Sequence, residues 1–421
     1  MSNLVWKEMD VVRYAQRAPF NPNSGDQLRE YMQSLGVVPR PGHKSKTNKP
    51  ATDKVIIERL AKKHPFFATL LKYRKAQKLG STYVQTLTAA LNGGDGRLHP
   101  VWTHNPSTWR MSAYDPNMQN WPNDEDDPMT MALRRCVVPS PGNVLVSADF
   151  SSIEAVETAW WADSPEYYRL ATRGVHSYLV GHKLGEHVSL TQSDADLSAQ
   201  LADIKKKWHA DPIYAGMKKT VHLTNYGGTP YMMYKAAPHL FPTIDAAEAA
   251  QKFYLSLLPA LPEWHTKIRK KAGEQNFLGG ADHPWRFKHW FWNILQFDPK
   301  KGGMVPGSDW NRVIAYYPQS STAAILYDTV LDLSDPESEN FVGDMCDGST
   351  PLRALIHDEI LAEVPLARVS EFVSRLIRSM TRPVHLQTLP PRWEMGDFLR
   401  IGTEVKTGPN WADMEYWKEA A

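Results

Sequence analysis

The hydrophobic positions of the chain follow two different spacings. A spacing of three to four residues predicts helices in four stretches, residues 55–60, 68–74, 152–278 and 319–333. Short apolar runs predict strands at 144–148 and within 352–364. The first run ends at Asp149 and turns at once into a helical pattern, and the second is broken by the acidic tip His357-Asp358-Glu359. The pattern therefore predicts a mixed helix and strand protein with two aspartates at strand ends.

A carboxylate fixed at a strand end is a suitable metal ligand, and Asp149 and Asp358 together are candidates for a pair of Mg²⁺ ions. Simpler interpretations are open for both regions. Ser151-x-x-Glu154 fits a helix capping box, and Asp358 alone fits a hairpin tip. The separation of 209 residues does not by itself show that the two aspartates meet.

Composition narrows the class of protein. A chain of 421 residues, 42% of them hydrophobic, can bury a large core divided into two or three lobes. The sequence contains no window of about 20 apolar residues, and its first ten residues lack the apolar core of a signal peptide. We therefore expect a cytoplasmic protein, or one of the host cytoplasm if the source is viral, without a membrane partner. Cys136 and Cys346 are too few for a disulfide framework or a cysteine zinc site.

Charge is unevenly distributed although the chain as a whole carries only +2. Residues 40–78 contain twelve Lys and Arg against two acids, Asp53 and Glu58. Such a segment predicts a surface that binds phosphates. A solvated helical face is the alternative.

Three further segments have distinctive compositions. Asn92-Gly-Gly-Asp-Gly96 breaks the helical pattern and predicts the first domain boundary. The aromatic section around 285–310 contains Trp285, Trp290, Trp292 and Trp310. These rings fit base stacking, but packing beneath a long loop is the preferred interpretation. Residues 332–347 hold six carboxylates without the spacing of an EF-hand, which predicts a solvated insertion.

Motifs in the first part of the chain resemble those of family A DNA polymerases. Lys78-Leu-Gly-Ser-Thr-Tyr83 is similar to the thumb signature of the family, and Gly96-Arg-Leu-His99 follows where the next strand begins. Trp109-Arg-Met-Ser-Ala-Tyr-Asp-Pro-Asn-Met-Gln-Asn-Trp-Pro122 resembles the family sequence Gly-Arg-Leu-Ser-Ser-x-Asp-Pro-Asn-Leu-Gln-Asn-Ile-Pro. The last of these is highly specific.

Motifs in the second part occur in the same order as in that family. Ser147-Ala-Asp-Phe-Ser-Ser-Ile-Glu154 resembles motif A, Asn225-Tyr-Gly227 the core of motif B, and Ile356-His-Asp-Glu359 motif C. Gly408-Pro-Asn-Trp411 is similar to the C-terminal Gly-x-Asn-Trp. The resemblance thus runs from about Phe20 to Trp411.

The resemblance implies an α+β right-hand polymerase fold with an antiparallel palm sheet, helical fingers and a helical thumb. The implied domains are an N-terminal extension 1–19, thumb 20–96, palm 97–155, fingers 156–311 and a second palm segment 312–421. Only about twenty residues precede the thumb, so we expect a polymerase core without an exonuclease domain. The compactness of the chain and its divergent motif B favour a phage type. A separate exonuclease or a processivity factor is then a candidate partner.

The resemblance also implies template-directed DNA synthesis, in replication or repair, by transfer of deoxynucleotides from dNTPs to a primer 3′-hydroxyl. Asp149 and Asp358 would bridge two Mg²⁺ ions, with Mn²⁺ as a substitute, and Glu359 would support them. Primer–template DNA and dNTPs are the implied partners.

Further roles follow from the same resemblance. Glu154 resembles the steric gate against a ribose 2′-hydroxyl, Tyr226 would stack on the incoming base, and Arg134 and His176 align with residues near the triphosphate. The implied DNA-binding residues are Arg110, Gln119, Asn120, Gln319, His357, Lys78, Ser81 and Thr82.

Motif B departs from the family pattern, because the Arg and Lys expected eight and four positions before Tyr226 are Lys218 and His222. We expect Lys218, or Lys219 after a shift in register, to bind the triphosphate, with His222 as a pH-sensitive helper. His222→Ala should then lower incorporation more at pH 6.5 than at pH 8.5. Pro230 is expected to kink or end the motif B helix.

Two other activities fit parts of the pattern. A single-subunit RNA polymerase shares the palm, but Glu154, Glu359 and the Asn225-Tyr-Gly227 core argue against it. A non-catalytic DNA-binding protein with a polymerase fold is consistent with His222 and with Val156, which stands where the family has an arginine. The presence of both aspartates argues against that second alternative.

Overall fold

The computed structural model describes residues 20–36, 52, 54–93, 95–104, 106–125, 127–237, 240–346, 350–385 and 398–418. The chain divides into two compact units, Met1–Gly94 and Asp95–Ala421. The division falls inside the glycine-rich cluster at 92–96. The N-terminal extension 1–19 and the basic residues of 37–51 lie outside the described residues.

The first unit is helical. Its elements are α1 (Gly25–Ser34), α2 (Lys54–Ala61), α3 (Pro65–Lys78), a π-helix (Leu79–Val84) and α4 (Gln85–Asn92). The apolar faces of α1, α2 and α3 form one core, in which Leu28, Ile57 and Phe67 are fully buried. The helical patterns predicted at 55–60 and 68–74 are therefore confirmed.

The strands of the second unit form one large sheet and four short hairpins or ribbons. They are β1 (Val101–Thr103), β2 (Ser112–Tyr114), β3 (Asn143–Phe150), β4 (Phe277–Gly279), β5 (Lys288–Trp290), β6 (Leu295–Asp298), β7 (Gly303–Pro306), β8 (Leu352–Ile356), β9 (Glu359–Pro365), β10 (Val384–His385), β11 (Phe398–Leu399), β12 (Thr403–Gly408) and β13 (Glu415–Tyr416). The large sheet has the order β13-β12-β3-β9-β8, and every pair in it is antiparallel.

Among the described residues, one helix of the second unit precedes β3, nine lie between β3 and β8, and one follows β9. They are α5 (Pro128–Arg135), α6 (Ile153–Trp161), α7 (Pro165–Ala171), α8 (Val175–Lys183), α9 (Asp194–Trp208), α10 (Pro212–Asn225), α11 (Pro230–Ala236), α12 (Ile244–Leu257), α13 (Ala260–Gln275), α14 (Arg312–Ser334) and α15 (Val369–Thr381). A short 3₁₀ turn, Met118–Asn120, precedes them. The mixed helix and strand class predicted from the sequence is confirmed.

Several of these helices begin in the same way. A polar N-cap side chain accepts a backbone N–H, and proline occupies the first helical position, where its missing N–H costs nothing. Asp127, Ser164, Asp211 and Thr229 are such caps, at the starts of α5, α7, α10 and α11. These local signals fix the helix starts independently of the core.

The core of the second unit positions the motif helices. Helix α6 leaves the end of β3 and packs on α14, while α10 packs on α6, α8 and α12. Helix α15 lies against β3, β9 and β12. The end of the sheet at which β3 terminates is therefore next to α6, and α6 is next to α10.

Two predictions about this unit need correction. Helix α14 begins at Arg312, seven residues before the predicted start, because the buried Pro318 lies inside the helix instead of ending it. The acidic segment 332–347 is not simply solvated, since Val342 and Met345 are buried and Val342 N–H binds the Leu333 carbonyl at 2.9 Å. No helix within the described ranges is both long and apolar enough to cross a membrane.

Candidate active site

Asp149 and Asp358 lie at the same end of the large sheet. Asp149 is the penultimate residue of β3 and stands opposite Glu359 on β9. Asp358 lies in the two-residue turn between β8 and β9, and its carbonyl accepts the Phe150 N–H at 3.4 Å. The strand pairing thus brings together two residues that the sequence alone did not connect.

The electrostatics of this pair are those of crowded carboxylates. Desolvation by the surrounding protein, followed by the negative charges of Asp358, Glu359 and Glu404, raises the pKa of Asp149 to about 8. Burial also raises the pKa of Asp358, in spite of the opposing charge of Arg110. The charge of Asp358 therefore disfavours ionised Asp149, and the charge of Glu154 disfavours ionised Asp358. Bound cations would remove this repulsion.

Hard oxygen donors of this kind fit Mg²⁺, with Mn²⁺ as an alternative. No cluster of three or more His, Cys, Asp or Glu side chains in the described part of the chain is placed to enclose a metal ion. Asp149 and Asp358 are therefore the candidate side-chain ligands for such an ion.

Glu359 is held by protein donors. Its Oε1 accepts the Ser147 hydroxyl at 2.7 Å and the Trp411 indole N–H at 3.4 Å. Ser147 lies two residues before Asp149 on β3, so both side chains face the same side of the sheet. Glu359 is therefore an oriented neighbour of the aspartate pair.

Glu154, in the first turn of α6, forms the centre of a second polar cluster. Arg110 donates to its Oε1 at 2.6 Å, and His222 Nδ1 lies 3.1 Å from its Oε2. Burial alone would raise the pKa of Glu154, but the hydrogen bonds and charges of His222 and Arg110 lower it to about 2. Glu154 is consequently an anion across the neutral range.

The capping-box interpretation of Glu154 is wrong. Helix α6 begins after Ser152, which is left-handed at φ 54° and makes no side-chain capping bond. The Glu154 carboxylate points instead to Arg110 and His222, which are distant in sequence. Long-range ion pairs have outweighed the local signal.

Tyr226 joins this cluster from the end of α10. Its ring packs edge-on against His222, with centroids 5.1 Å apart. Burial and the charge of Glu154 raise the pKa of Tyr226 well above 10, and Gln319 of α14 also lies beside the hydroxyl. The predicted nucleotide-binding residues Glu154 and Tyr226 and the predicted DNA-binding residues Arg110 and Gln319 are thus neighbours.

Lys218 and His222 lie on one face of α10, four residues apart. Lys218 is exposed, and its charge acts on both Asp149 and His176. Burial, followed by the charges of Lys218, Lys205 and His222, lowers the pKa of His176 to about 4, so His176 is neutral at neutral pH. The neighbouring Lys219 is also exposed on α10.

The motif B core is locked by residues that the sequence analysis missed. The buried Asn225 accepts the Tyr254 hydroxyl at 2.5 Å through its side chain, and its carbonyl lies 2.9 Å from His265 Nε2. Tyr254 also bonds the hydroxyl of Tyr167. Nothing local in the sequence marks these partners, which come from α7, α12 and α13.

The backbone conformation and close surroundings of Gly227 explain why the motif has glycine after Tyr226. Its φ is +70°, and a Cβ there would lie 2.8 Å from Ile314 Cδ1 and 3.0 Å from Arg269 Nη2. Helix α10 ends at Asn225, before Pro230 is reached. The prediction that Pro230 kinks or ends that helix is therefore wrong. Pro230 occupies the first position of the next helix, α11.

Gln119 has a structural contact beyond its predicted role at DNA. Its Nε2 donates to the Leu355 carbonyl at 2.6 Å, and its Oε1 accepts the His357 N–H at 2.7 Å. One amide thereby holds the end of β8 and the first residue of the turn that carries Asp358. His357 is exposed with φ 59°, and Asn120 is exposed next to Gln119.

Arg134 contacts Trp411 of the C-terminal Gly408-Pro-Asn-Trp411 motif. Its guanidinium lies 4.1 Å from the Trp411 ring centroid, and its Nε donates to the Trp411 carbonyl at 3.1 Å. Burial lowers its pKa, with the charge of Glu359 opposing that shift. Arg134 therefore lies on the Glu359 side of the site.

Trp109 stands where the related motif has glycine. Its φ of 60° is a left-handed value that glycine adopts without strain, which explains the glycine in the family motif. The carbonyl of Trp109 accepts the Tyr327 hydroxyl at 2.5 Å, and its ring stacks on Phe287 at 4.9 Å. These contacts hold a bulky residue in a left-handed conformation and fix the backbone before Arg110.

The remaining predicted DNA-binding residues belong to the first unit. Lys78 ends α3, and Ser81 and Thr82 lie in the π-helix that follows; all three are exposed. Short π-helical segments frequently occur at functional sites.

Comparisons with known proteins agree with this geometry. A family model described as DNA polymerase family A matches residues 3–413. The thermostable DNA polymerase I of Thermus aquaticus is 25% identical over 395 residues, which cover 92% of this chain and 42% of that protein. The enzyme of the same description from Thermus thermophilus is 40% identical over 149 residues, 35% of this chain and 17% of that protein. The chain thus spans about two fifths or less of the length of these relatives.

A solved structure shares the fold. It is described as the POL domain of Pol1 from M. smegmatis in complex with DNA primer-template and dNTP. The TM-score is 0.70 at 19% sequence identity, with 93% of this chain and 61% of that chain covered. The polymerase fold class expected from the motifs is confirmed. Because the family model covers nearly the whole sequence, the chain belongs to DNA polymerase family A.

Proposed function

We propose that this protein is a DNA-directed DNA polymerase that extends a primer 3′-hydroxyl with deoxynucleotides chosen by a template. The observation that carries the proposal is that Asp149 and Asp358 lie at the same end of the large sheet, beside the cluster of Arg110, Glu154 and Tyr226. Membership of the family supports the same activity. The pattern of relatives favours DNA synthesis over the RNA polymerase alternative.

Asp149 and Asp358 would hold two Mg²⁺ ions, for which Mn²⁺ is a substitute. When bound, such ions supply charge stabilisation to the attacking and leaving oxygens of an in-line displacement. A need for bound cations is supported by the burial and the neighbouring negative charges that raise the pKa of both carboxyls. Glu359, fixed by Ser147 and Trp411, adds a further negative charge beside them.

The face of α10 would bind the triphosphate. Lys218 is the better candidate, because it is exposed, lies on the same face of α10 as His222, and its charge acts on Asp149. His176 is neutral and near Lys218, so it would contribute a hydrogen bond and not a charge. Arg134, stacked on Trp411, would act from the opposite side.

Selection of the sugar would fall to Glu154. A carboxylate held by Arg110 and His222 has little freedom to move aside for a ribose 2′-hydroxyl. Tyr226 would stack on the base. Arg110 and Gln319 would contact the duplex end, and minor-groove acceptors occur on every base pair, so these contacts test shape rather than sequence.

The division into thumb 20–96, palm 97–155 and 312–421, and fingers 156–311 remains our proposal for the domains. Lys78, Ser81 and Thr82 would contact the duplex from the thumb, and Asn120 and His357 from the palm. We place the protein in the cytoplasm, with primer–template DNA and dNTPs as its partners. A separate exonuclease or processivity factor would act beside it.

Primer extension tests the proposal. The wild type with all four dNTPs and Mg²⁺ should extend a labelled primer, whereas Asp358→Ala should bind the same duplex without extending it. Substituting rNTPs should abolish most extension by the wild type. No extension by the wild type, with duplex binding intact, would favour the non-catalytic alternative.

A further inference from the structure

Two tryptophans of the second unit are exposed and stacked on each other. Trp290 ends β5 with 45% of its surface exposed, and Trp292 is 75% exposed. Their rings are parallel within 3°, with centroids 5.4 Å apart. Packing beneath a loop, the preferred interpretation from the sequence, holds for Trp285, whose indole N–H binds Asp328 at 2.7 Å. It is wrong for Trp290 and Trp292.

The backbone that carries Trp292 is firmly held. The N–H groups of Trp292 and Asn293 both donate to Asp309 Oδ2, at 3.1 and 3.0 Å. Gly307 N–H binds the Ile294 carbonyl at 2.9 Å, and a Cβ at Gly307 would lie 2.3 Å from the Asn293 carbonyl oxygen. The indole is therefore presented to solvent by a fixed frame, although exposure of so large an apolar surface is unfavourable.

A positive charge lies over the Trp290 ring and over its neighbour Phe277. The Lys288 ammonium is 3.8 Å from the centroid of Phe277 and 4.4 Å from that of Trp290. Lys288 is exposed and has no ion pair among the residues that the structure describes. Lys300 and Lys301 are exposed where the chain turns between β6 and β7.

The surrounding segment is basic as well. Residues 263–312 contain nine Lys and Arg against five Asp and Glu, in a chain that is net acidic outside this segment and residues 40–78. A groove of about 560 Å³ adjoins Trp292 and is lined also by Arg269, Lys270, Glu274, Leu295 and Trp310, with the Lys270 ammonium 3.9 Å from the Glu274 carboxylate. The Arg269 guanidinium stacks on Trp310 at 4.3 Å.

We propose that this surface, the Trp290–Trp292 platform of Lys288, Trp290, Trp292 and Lys270, binds the unpaired single strand of the template. The inference rests on the proposed polymerase function. Flat exposed rings accept any base by stacking, and nearby ammonium groups neutralise phosphates, which together give binding without sequence preference. The Lys288 ammonium over Trp290 and the exposed Lys300 and Lys301 make this surface positive, and this charge complementarity selects the nucleic acid over a protein partner.

The test compares two fluorescent duplexes by anisotropy without dNTPs. One duplex is blunt, and the other carries a single-stranded 5′ template extension of about twelve nucleotides. The wild type should bind the extended duplex more tightly. The double variant Trp290→Ala with Trp292→Ala should bind it about tenfold less tightly, since each stacked base contributes on that scale. Its affinity for the blunt duplex should be unchanged, and Trp292→Phe should keep most of the difference.

Leu331→Ala is the matched control, because it removes a 65% exposed apolar side chain from α14, outside the platform. Lys288→Ala should lower the salt dependence of binding to the extended duplex by about one counterion. The proposal is overturned if the double tryptophan variant retains the preference for the extended duplex, or if it loses affinity for both duplexes equally. Because binding is measured without catalysis, failure of the polymerase function would show separately, as a wild type that binds primer–template and extends nothing.

Discussion

Nδ1 of His222 lies 3.1 Å from Oε2 of Glu154, across 68 residues of sequence. Arg110 occupies the other carboxylate oxygen at 2.6 Å. The departure from the family pattern at His222 therefore has a structural counterpart, because the imidazole reaches the proposed sugar-selecting carboxylate. His222 is placed to orient Glu154, in addition to any part it takes at the triphosphate.

His222→Ala should weaken the selection of deoxynucleotides over ribonucleotides. Loss of a hydrogen bond to a charged group leaves Glu154 held by Arg110 alone, and we expect the ratio of kcat/KM for dNTP to that for rNTP to fall about tenfold. Single-nucleotide incorporation with each sugar measures the ratio. Lys219→Ala, on the same helix, should leave it unchanged. An unaltered ratio in His222→Ala would refute the orienting role.

Two glutamates one turn apart on α6 should give opposite pH dependence of stability. Glu154 has a pKa lowered to about 2, so its contribution is present above about pH 4.5 and is lost as the pH falls towards 2. Glu157 is fully buried, and burial raises its pKa well above 4.5. The folded protein favours protonated Glu157. The contribution of Glu157 to the free energy of unfolding therefore falls as the pH rises above about 4.5.

Urea unfolding at several pH values should separate them. Glu154→Gln should lower the free energy of unfolding at pH 7 by at most about 3 kcal/mol, with a smaller difference at pH 3.5. Glu157→Gln should be more stable than the wild type at pH 8 and nearly equal to it at pH 4.5. Glu166→Gln, at an exposed position of α7, is the control. Parallel pH profiles for all variants would contradict this assignment.

The features that could be predicted from the sequence are those that depend on residues close together in the chain. The end of β3 at Asp149 and the tip at Asp358 were predictable, because strand patterns and turn residues act locally. Motif spacing also identified the family. The contact between Glu154 and His222 was not predictable, since helix packing creates it. A local capping signal at Glu154 even pointed the wrong way.

Gly227→Ala should destabilise the fold. The left-handed φ and the approach of Ile314 to 2.8 Å make a Cβ unfavourable there, and we expect a loss of about 2 kcal/mol. Gly216→Ala is the matched control on α10, because its Cβ would meet only Leu240 at 3.7 Å. That change should be neutral or slightly stabilising. Equal urea midpoints for the two variants would contradict the argument.

Gln119→Ala should lower kcat more than it raises KM. Removal of the amide that bridges Leu355 and His357 frees the turn that positions Asp358. A misplacement of about 1 Å at a catalytic group can cost about 100-fold in rate. Gln200→Ala also removes an amide that both donates and accepts, but in contacts with His187 and Gln192. We expect it to keep its rate, and a comparable loss of kcat in both variants would point to general destabilisation.

The most direct test of the account is single-turnover incorporation of one dNTP by Asp149→Asn and Asp358→Asn, at saturating Mg²⁺ and with bound primer–template. Glu404→Gln is the matched control, because Glu404 stands opposite Asp149 on the same sheet but pairs with Lys205 at 3.3 Å. We predict a fall in rate of about 10³-fold or more for each aspartate variant, with unchanged DNA affinity. The control should stay within about threefold of the wild type. Rates in either aspartate variant that match the control would contradict the assignment of Asp149 and Asp358 as the catalytic pair.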